Sequence, residues 1–244
     1  MRIDRFIGQM TAMSRSEASL AVRKGRVAVD GVVLRDPSAH IDPERQSVTV
    51  DGKETVYKRN VYIMMNKPIG AVCATEDGDL TVIDLLPSEF KRAGLFPCGR
   101  LDKNTTGFVL ITDNGKLAHR LLAPASHVAK TYRFSLKFPF SDEDIALLEK
   151  GIALEDGSVT LPCVLKRLSP DEGEITLHEG KFHQIKRMFL AVHNQVRTLS
   201  RVSFAGIPLD KSLAPGECRL LSENEAALLE SYLRCSGKNS NILE

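Results

Sequence analysis

The sequence predicts an α+β fold in two units: a small N-terminal unit made of a helix pair and a β-hairpin, then a larger unit in which strands and helices are interleaved. Three observations predict it. Apolar residues recur at helical spacing within the first ten positions, an Asp-Gly pair flanked by valines follows by residue 35, and beyond residue 61 short β-like runs alternate with amphipathic stretches. A chain of 244 residues is long enough to bury a core without metals or disulfides.

The elements follow in chain order. Ile3, Phe6, Ile7 and Met10 fall at i, i+3, i+4 and i+7, one face of a first helix. Ser14 followed three residues later by Glu17 is the pattern of a capping box, opening a second helix that turns Ala18, Ala21 and Val22 inward and stops at Gly25. Arg26-Val27-Ala28-Val29 and Val32-Val33-Leu34-Arg35 flank Asp30-Gly31, which predicts a hairpin with a type I′ turn. The polar stretch 52 to 60 divides the two units, set at 1–58 and 61–235. In the second unit, Val61 to Met65, Phe108 to Ile111 and Thr131 to Leu136 are predicted strands, and the stretches 115–122, 141–150 and 182–192 predicted helices. Residues 236–244, poor in apolar side chains, are expected to be a flexible tail.

Composition narrows the function. With 43% hydrophobic and 26% charged residues the composition is that of a soluble globular protein and too apolar for a disordered one. No apolar run approaches the length needed to cross a bilayer, and the N-terminus lacks the apolar stretch of a signal peptide, so a cytoplasmic protein without membrane partners is expected. The five cysteines are never spaced as CxxC and the six histidines form no HxxxH pair, so neither disulfides nor a metal site is expected. No cofactor is expected either, and a monomer is the working expectation. The net charge of +2 hides an uneven distribution. Residues 1–35 hold seven Lys/Arg against three Asp/Glu, residues 181–201 hold five Lys/Arg and no acid, and residues 141–157 hold six acids against Lys150. Such focusing suits a polyanion, and equally a set of solvated faces.

One stretch carries a candidate for chemistry, Gly99-Arg100-Leu101-Asp102-Lys103-Asn104-Thr105-Thr106-Gly107, running into the apolar Phe108 to Ile111. A loop anchored on a buried strand is where reactive side chains tend to sit, and Arg100 and Lys103 flank Asp102 with charges that favour a carboxylate. On residue chemistry alone, a turn role for Asp102 outweighs a reactive one. Asp113, in Thr112-Asp113-Asn114-Gly115 ahead of a predicted helix, is expected to serve as turn and N-cap.

Two resemblances sharpen these readings. Arg2 to Phe6, Ser14 to Ala18 and Gly25 to Gly31 with Pro37 beyond resemble the S4 RNA-binding domain. Arg15, Arg23, Lys24 and Arg26 then become expected phosphate contacts, the alternatives being solvated side chains and an Arg26 that covers the hairpin. The stretch around Asp102 resembles the Gly-Arg-Leu-Asp signature of pseudouridine synthases. Two further segments match in order, Tyr62 to Gly70 and Glu179 to Met188, in the branch that joins an S4 domain to the catalytic domain. Within that branch the chain is most similar to enzymes of small-subunit ribosomal RNA, through Arg187-Met188-Phe189 and Leu213 to Glu217. Phe182, where tyrosine is common, and Asn104 depart conservatively. The resemblance implies a mixed, largely antiparallel catalytic sheet.

It also implies roles. Asp102 would act on the ribose and Lys186 would pair with it, a phosphate contact being the competing role for Lys186. Tyr132 would stack on the extracted uracil, or else be a strand tyrosine of the core. Ile185 would close the pocket, or simply pack. Arg100 would fill the gap left by a flipped uridine, or bind a phosphate or Asp102, and Arg187 is a further expected RNA contact. The implied partner is ribosomal RNA, free or within an assembling small subunit. Three rivals stay open: the same chemistry on large-subunit RNA, an RNA-binding assembly factor without catalysis, and a water-dependent glycosidase, for which no convincing second carboxylate is found.

Overall fold

The computed structural model describes residues 1–11, 13–57 and 60–234, so the expected tail lies outside the described residues. Helix α1 (Ile3–Met10) buries Ile3, Phe6 and Ile7. Helix α2 (Arg15–Arg23) opens on the capping box: the Glu17 N–H donates to Ser14 Oγ at 3.3 Å, and the Ser14 N–H donates to Glu17 Oε2 at 2.7 Å. Strands β1 (Val27–Val29) and β2 (Val32–Leu34) pair antiparallel across Asp30 and Gly31, whose φ angles of 50° and 79° are those of a type I′ turn. The hairpin does not stand alone. Strands β3 (Val48–Val50) and β4 (Lys53–Glu54) extend it to a four-stranded sheet of order β2-β1-β3-β4. Val48 and Val50 alternate with Thr49 and enter the same core as the two helices, and Tyr57 stacks on Phe6 with ring centroids 6.1 Å apart.

The second unit runs β5 (Tyr62–Lys67), β6 (Phe96–Cys98), β7 (Thr106–Thr112), α3 (Gly115–Leu122), β8 (Lys130–Leu136) and α4 (Asp142–Lys150). It continues through β9 (Val164–Arg167), β10 (Glu172–Leu177), α5 (Gln184–Ala191), β11 (Val196–Phe204), β12 (Ile207–Pro208), β13 (Cys218–Leu220) and α6 (Glu223–Arg234). Its sheet has the order β13-β5-β7-β11-β8-β10-β9, with β6 beside β7 and β12 beside β11; among the described residues only the β7 and β11 pairing is parallel. Alternation along β5 and β7 splits the core. Tyr62, Met64, Phe108 and Leu110 pack under α3 and α6 on one face, whereas Ile63, Met65, Val109 and Ile111 pack with Leu101 on the other. A third cluster, Phe134, Ile175, Met188 and Phe189 among it, seats α5 on the β8 and β10 wing. The two units touch through an Ala93 N–H donated to Gly8 O at 3.3 Å.

The structure corrects three local expectations. Asn114, not Asp113, caps α3, accepting the Leu117 N–H at 3.1 Å; Asp113 instead accepts the Val61 N–H and pairs with Arg92. Helix α5 begins at Gln184, leaving Phe182 and His183 in the turn before it. Helix α6 was not anticipated, and it covers the first face through Leu229.

Candidate active site

The loop 99–105 between β6 and β7 is fixed from beneath. Lys67, at the end of β5 and fully buried, donates to three backbone carbonyls: Thr105 O at 2.9 Å, Pro68 O at 3.1 Å and Lys103 O at 3.2 Å. Burial pushes its ammonium below the ordinary lysine range, and attraction to Cys73 and Asp102 opposes that shift. The Gly70 N–H donates to Lys103 O at 2.9 Å and the Leu101 N–H to Cys73 Sγ at 3.3 Å, while Leu101 itself is buried. Gly107, the second residue of β7, has φ +96°, and a Cβ there would lie 2.3 Å from Arg201 O, so only glycine admits this approach of β7 to β11.

Held this way, Asp102 remains partly open, with a side chain 28% exposed. Lys186 Nζ donates to its Oδ2 at 2.6 Å, and His183 Nε2 lies 3.5 Å from its Oδ1. Both come from α5 or the turn before it. Ile185, Met188 and Phe189 bury one face of this helix, which leaves Lys186 on the flank toward the loop. Tyr132 on β8 packs against both the cluster beneath α5 and the cluster that contains Leu101. One carboxylate, one ammonium and an imidazole thus meet where the 99–105 loop faces α5, and Tyr132 packs against the apolar clusters on either side.

Residues 61–191 match the profile of a family described as RNA pseudouridylate synthase, more than half of the chain. The chain belongs to that family. Residues 1–47 of this pseudouridine synthase match the S4 domain. It is 46% identical over 234 residues to an uncharacterized RNA pseudouridine synthase of Bacillus subtilis, covering 94% of this chain and 98% of the relative. It is 41% identical over 229 residues to ribosomal small subunit pseudouridine synthase A of Escherichia coli, covering 93% and 99%. A crystal structure of a pseudouridylate synthase superposes with a TM-score of 0.67 at 34% identity, covering 94% of this chain and 99% of the other.

Other expected site residues of the synthase separate into free and engaged groups. Arg100 is exposed and has no ion-pair partner among the described residues. Arg187 is turned to protein, 2.6 Å from both Glu155 and Asp156, acids of the negative stretch, and these pairs raise its affinity for its proton. Ile185 is 4% exposed and belongs to the core under α5. Ile185 thus takes the packing alternative of the sequence, and Arg187 is engaged by acids of the protein. In the S4 unit, Arg23 and Lys24 are exposed, whereas Arg26 donates Nε to Asp51 at 2.7 Å and so ties β1 to the β3 and β4 turn. Arg15 lines a concavity of about 500 Å³ with Met1, Arg2, Arg5 and His40. Arg2, Arg5, His40, Lys67 and His183 carried no role in the sequence reading. His183 was quoted within a motif, but its contact with Asp102 spans 81 positions and no local pattern announces it.

Proposed function

We propose that this pseudouridine synthase isomerises a uridine of small-subunit ribosomal RNA, flipped out of its stack, with Asp102 acting on the ribose. The observation that carries the mechanism is the Lys186 to Asp102 contact at 2.6 Å in a partly open site. The N1–C1′ bond breaks and a C5–C1′ bond forms; C5 loses its proton and N1 gains one, so no oxidant or energy source enters the balance. A single anion suffices, acting either as nucleophile at C1′ or as base on the sugar. Asp113, the candidate second carboxylate of a glycosidase, is engaged by Arg92 and Val61 instead. Lys186 orients the Asp102 carboxylate, and Tyr132 offers a ring face to the detached uracil and a hydroxyl for proton movement. Arg100, two residues before Asp102 in the loop and exposed, is the side chain that would occupy the space the uridine vacates.

The small-subunit assignment rests on the match of nearly full length to a relative named for that activity. Mapping pseudouridines in ribosomal RNA from cells lacking this gene tests it. One site is expected to disappear from small-subunit RNA and to return with the wild-type gene but not with Asp102→Asn. A missing site in large-subunit RNA would replace the substrate, and an unchanged map would remove ribosomal RNA from the proposal.

A further inference from the structure

Phe182 is the most exposed large apolar side chain among the described residues, at 74%, and it stands beside the candidate site. Its ring stacks on the His183 imidazole with centroids 3.8 Å apart and 21° between planes, and His183 Nε2 in turn lies 3.5 Å from Asp102 Oδ1. The three side chains form a column that leads from the carboxylate outward to solvent. Packing does not explain the outer ring, because an exposed phenylalanine gives up the burial that would stabilise the fold.

Nor is the ring carried on a loose turn. The Lys181 N–H donates to Gln184 Oε1 at 2.8 Å, Gln184 Nε2 donates to Glu179 Oε1 at 2.7 Å, and Arg187 Nη1 donates to Phe182 O at 3.3 Å. His183 itself has φ +49°, a left-handed conformation held by this bracing. The engagement of Arg187 with Glu155 and Asp156 thereby gains a purpose, since the same guanidinium holds the Phe182 peptide.

We propose that the stack of Phe182 on His183 is a platform for the base of a nucleotide next to the target uridine. The proposal rests on the reading of Asp102 as the group that acts on the target ribose: a strand whose C1′ reaches Asp102 passes its neighbouring base across the outer face of Phe182. A fixed aromatic face accepts any base and loses little entropy on binding it, so the platform sets the path of the strand and leaves the sequence unread. The ring adjoins a site whose family acts on RNA, which favours a nucleic acid over an apolar protein partner.

The test uses the full-length protein and a ribosomal RNA fragment, from either subunit, in which the wild type forms pseudouridine. 2-Aminopurine replaces the nucleotide on the 5′ or the 3′ side of the target, and binding is read in the Asp102→Asn background so that the RNA stays unreacted. Binding is expected to quench the probe at one of the two positions. Adding Phe182→Tyr should keep the quench and the affinity, whereas Phe182→Leu and Phe182→Ala should lose the quench and bind about 5- to 150-fold more weakly. With Asp102 intact, the single-turnover rate at saturation should nearly survive Phe182→Leu. Full affinity and quench with leucine, or quenching at neither position, would overturn the platform. So would a lost saturated rate with unchanged affinity, which would make Phe182 a positioning residue for His183 and Asp102. Unchanged RNA binding in every Phe182 variant would assign the ring to a protein partner instead. Product found only in large-subunit RNA overturns the small-subunit reading and leaves this comparison intact, while full turnover by Asp102→Asn overturns the assignment of Asp102.

Discussion

Asp102 receives its geometry from the backbone of its loop and its electrostatic partner from a helix 84 positions away, so its two functions can be separated by substitution. Asp102→Asn keeps the size of the side chain and every loop contact made by Lys67, Gly70 and Cys73, and removes only the charge. RNA affinity should stay close to wild type while isomerisation falls by several orders of magnitude, read as tritium release from C5-labelled uridine RNA. Near-normal release would end the assignment. Lys186→Met removes the partner and keeps an apolar stem along α5. Because Lys186 Nζ is 2.6 Å from the carboxylate, the single-turnover rate at saturating enzyme should drop more than the affinity does. A loss confined to affinity would make Lys186 a phosphate contact.

At the scale of the element, the junction of the 99–105 loop with β7 is the most demanding place in the site. Gly107 combines φ +96° with a backbone oxygen of β11 at 2.3 Å from any added Cβ. Gly107→Ala should therefore cost at least the 1 to 3 kcal/mol or so of a strained conformation, with the displacement of β11 in addition. Urea unfolding checks this; an unchanged midpoint would mean that β7 and β11 separate without cost. The elements with strong local signals were legible in the sequence: the α1 stripe of Ile3, Phe6 and Ile7, the Ser14 and Glu17 box, the Asp30-Gly31 turn, and the apolar β5 and β7. Strand β11 was not, because Arg197 and Arg201 interrupt its pattern; Arg201 is 2% exposed and donates Nε to Phe108 O at 2.7 Å, a burial decided by neighbours from distant sequence. The site divided in the same way. The resemblance pointed to Asp102, Lys186 and Tyr132, of which the structure brings the first two into contact, whereas the contacts of Asp113 with Val61, Arg187 with Glu155 and His183 with Asp102 span 52, 32 and 81 positions and leave no local trace.

The whole molecule joins two separately built units, and its responses to acid and to salt should originate in different places. Arg219 on β13 reaches both Asp210, at 2.6 Å, and Glu225 at the start of α6, at 2.8 Å. Hydrogen bonds from Ser212, then from Arg219, hold Asp210 down at about 2; the Arg219 hydrogen bond holds Glu225 down at about 2 despite its burial. Both folded values lie below the unfolded ones, so the stabilisation is complete above about pH 5 and is lost as pH falls toward 2. The urea midpoint of the wild type should fall more steeply across that window than that of Arg219→Met, and equal slopes would exclude this latch as a source of acid sensitivity.

Salt should report on the N-terminal unit instead. Its core closes on residues up to Tyr57, and the groups around Asp102 all lie beyond residue 61, so deleting residues 1–58 should leave a folded unit that retains most of the saturated single-turnover rate and loses affinity. Each phosphate contact contributes about 0.7 to 0.9 to the slope of log affinity against log salt, so removing Arg15, Arg23 and Lys24 with their neighbours should flatten that slope by roughly 2 to 4 units. Arg26 supplies the internal control. Its guanidinium is already bound by Asp51, so Arg26→Ala in the full chain should change the slope far less than Arg23→Ala does. Binding to a small-subunit RNA fragment across a salt series measures both. An unchanged slope on deletion would mean that the S4 unit does not hold this RNA through its charge, and a loss with Arg26→Ala equal to that with Arg23→Ala would mean that RNA displaces Asp51 from Arg26.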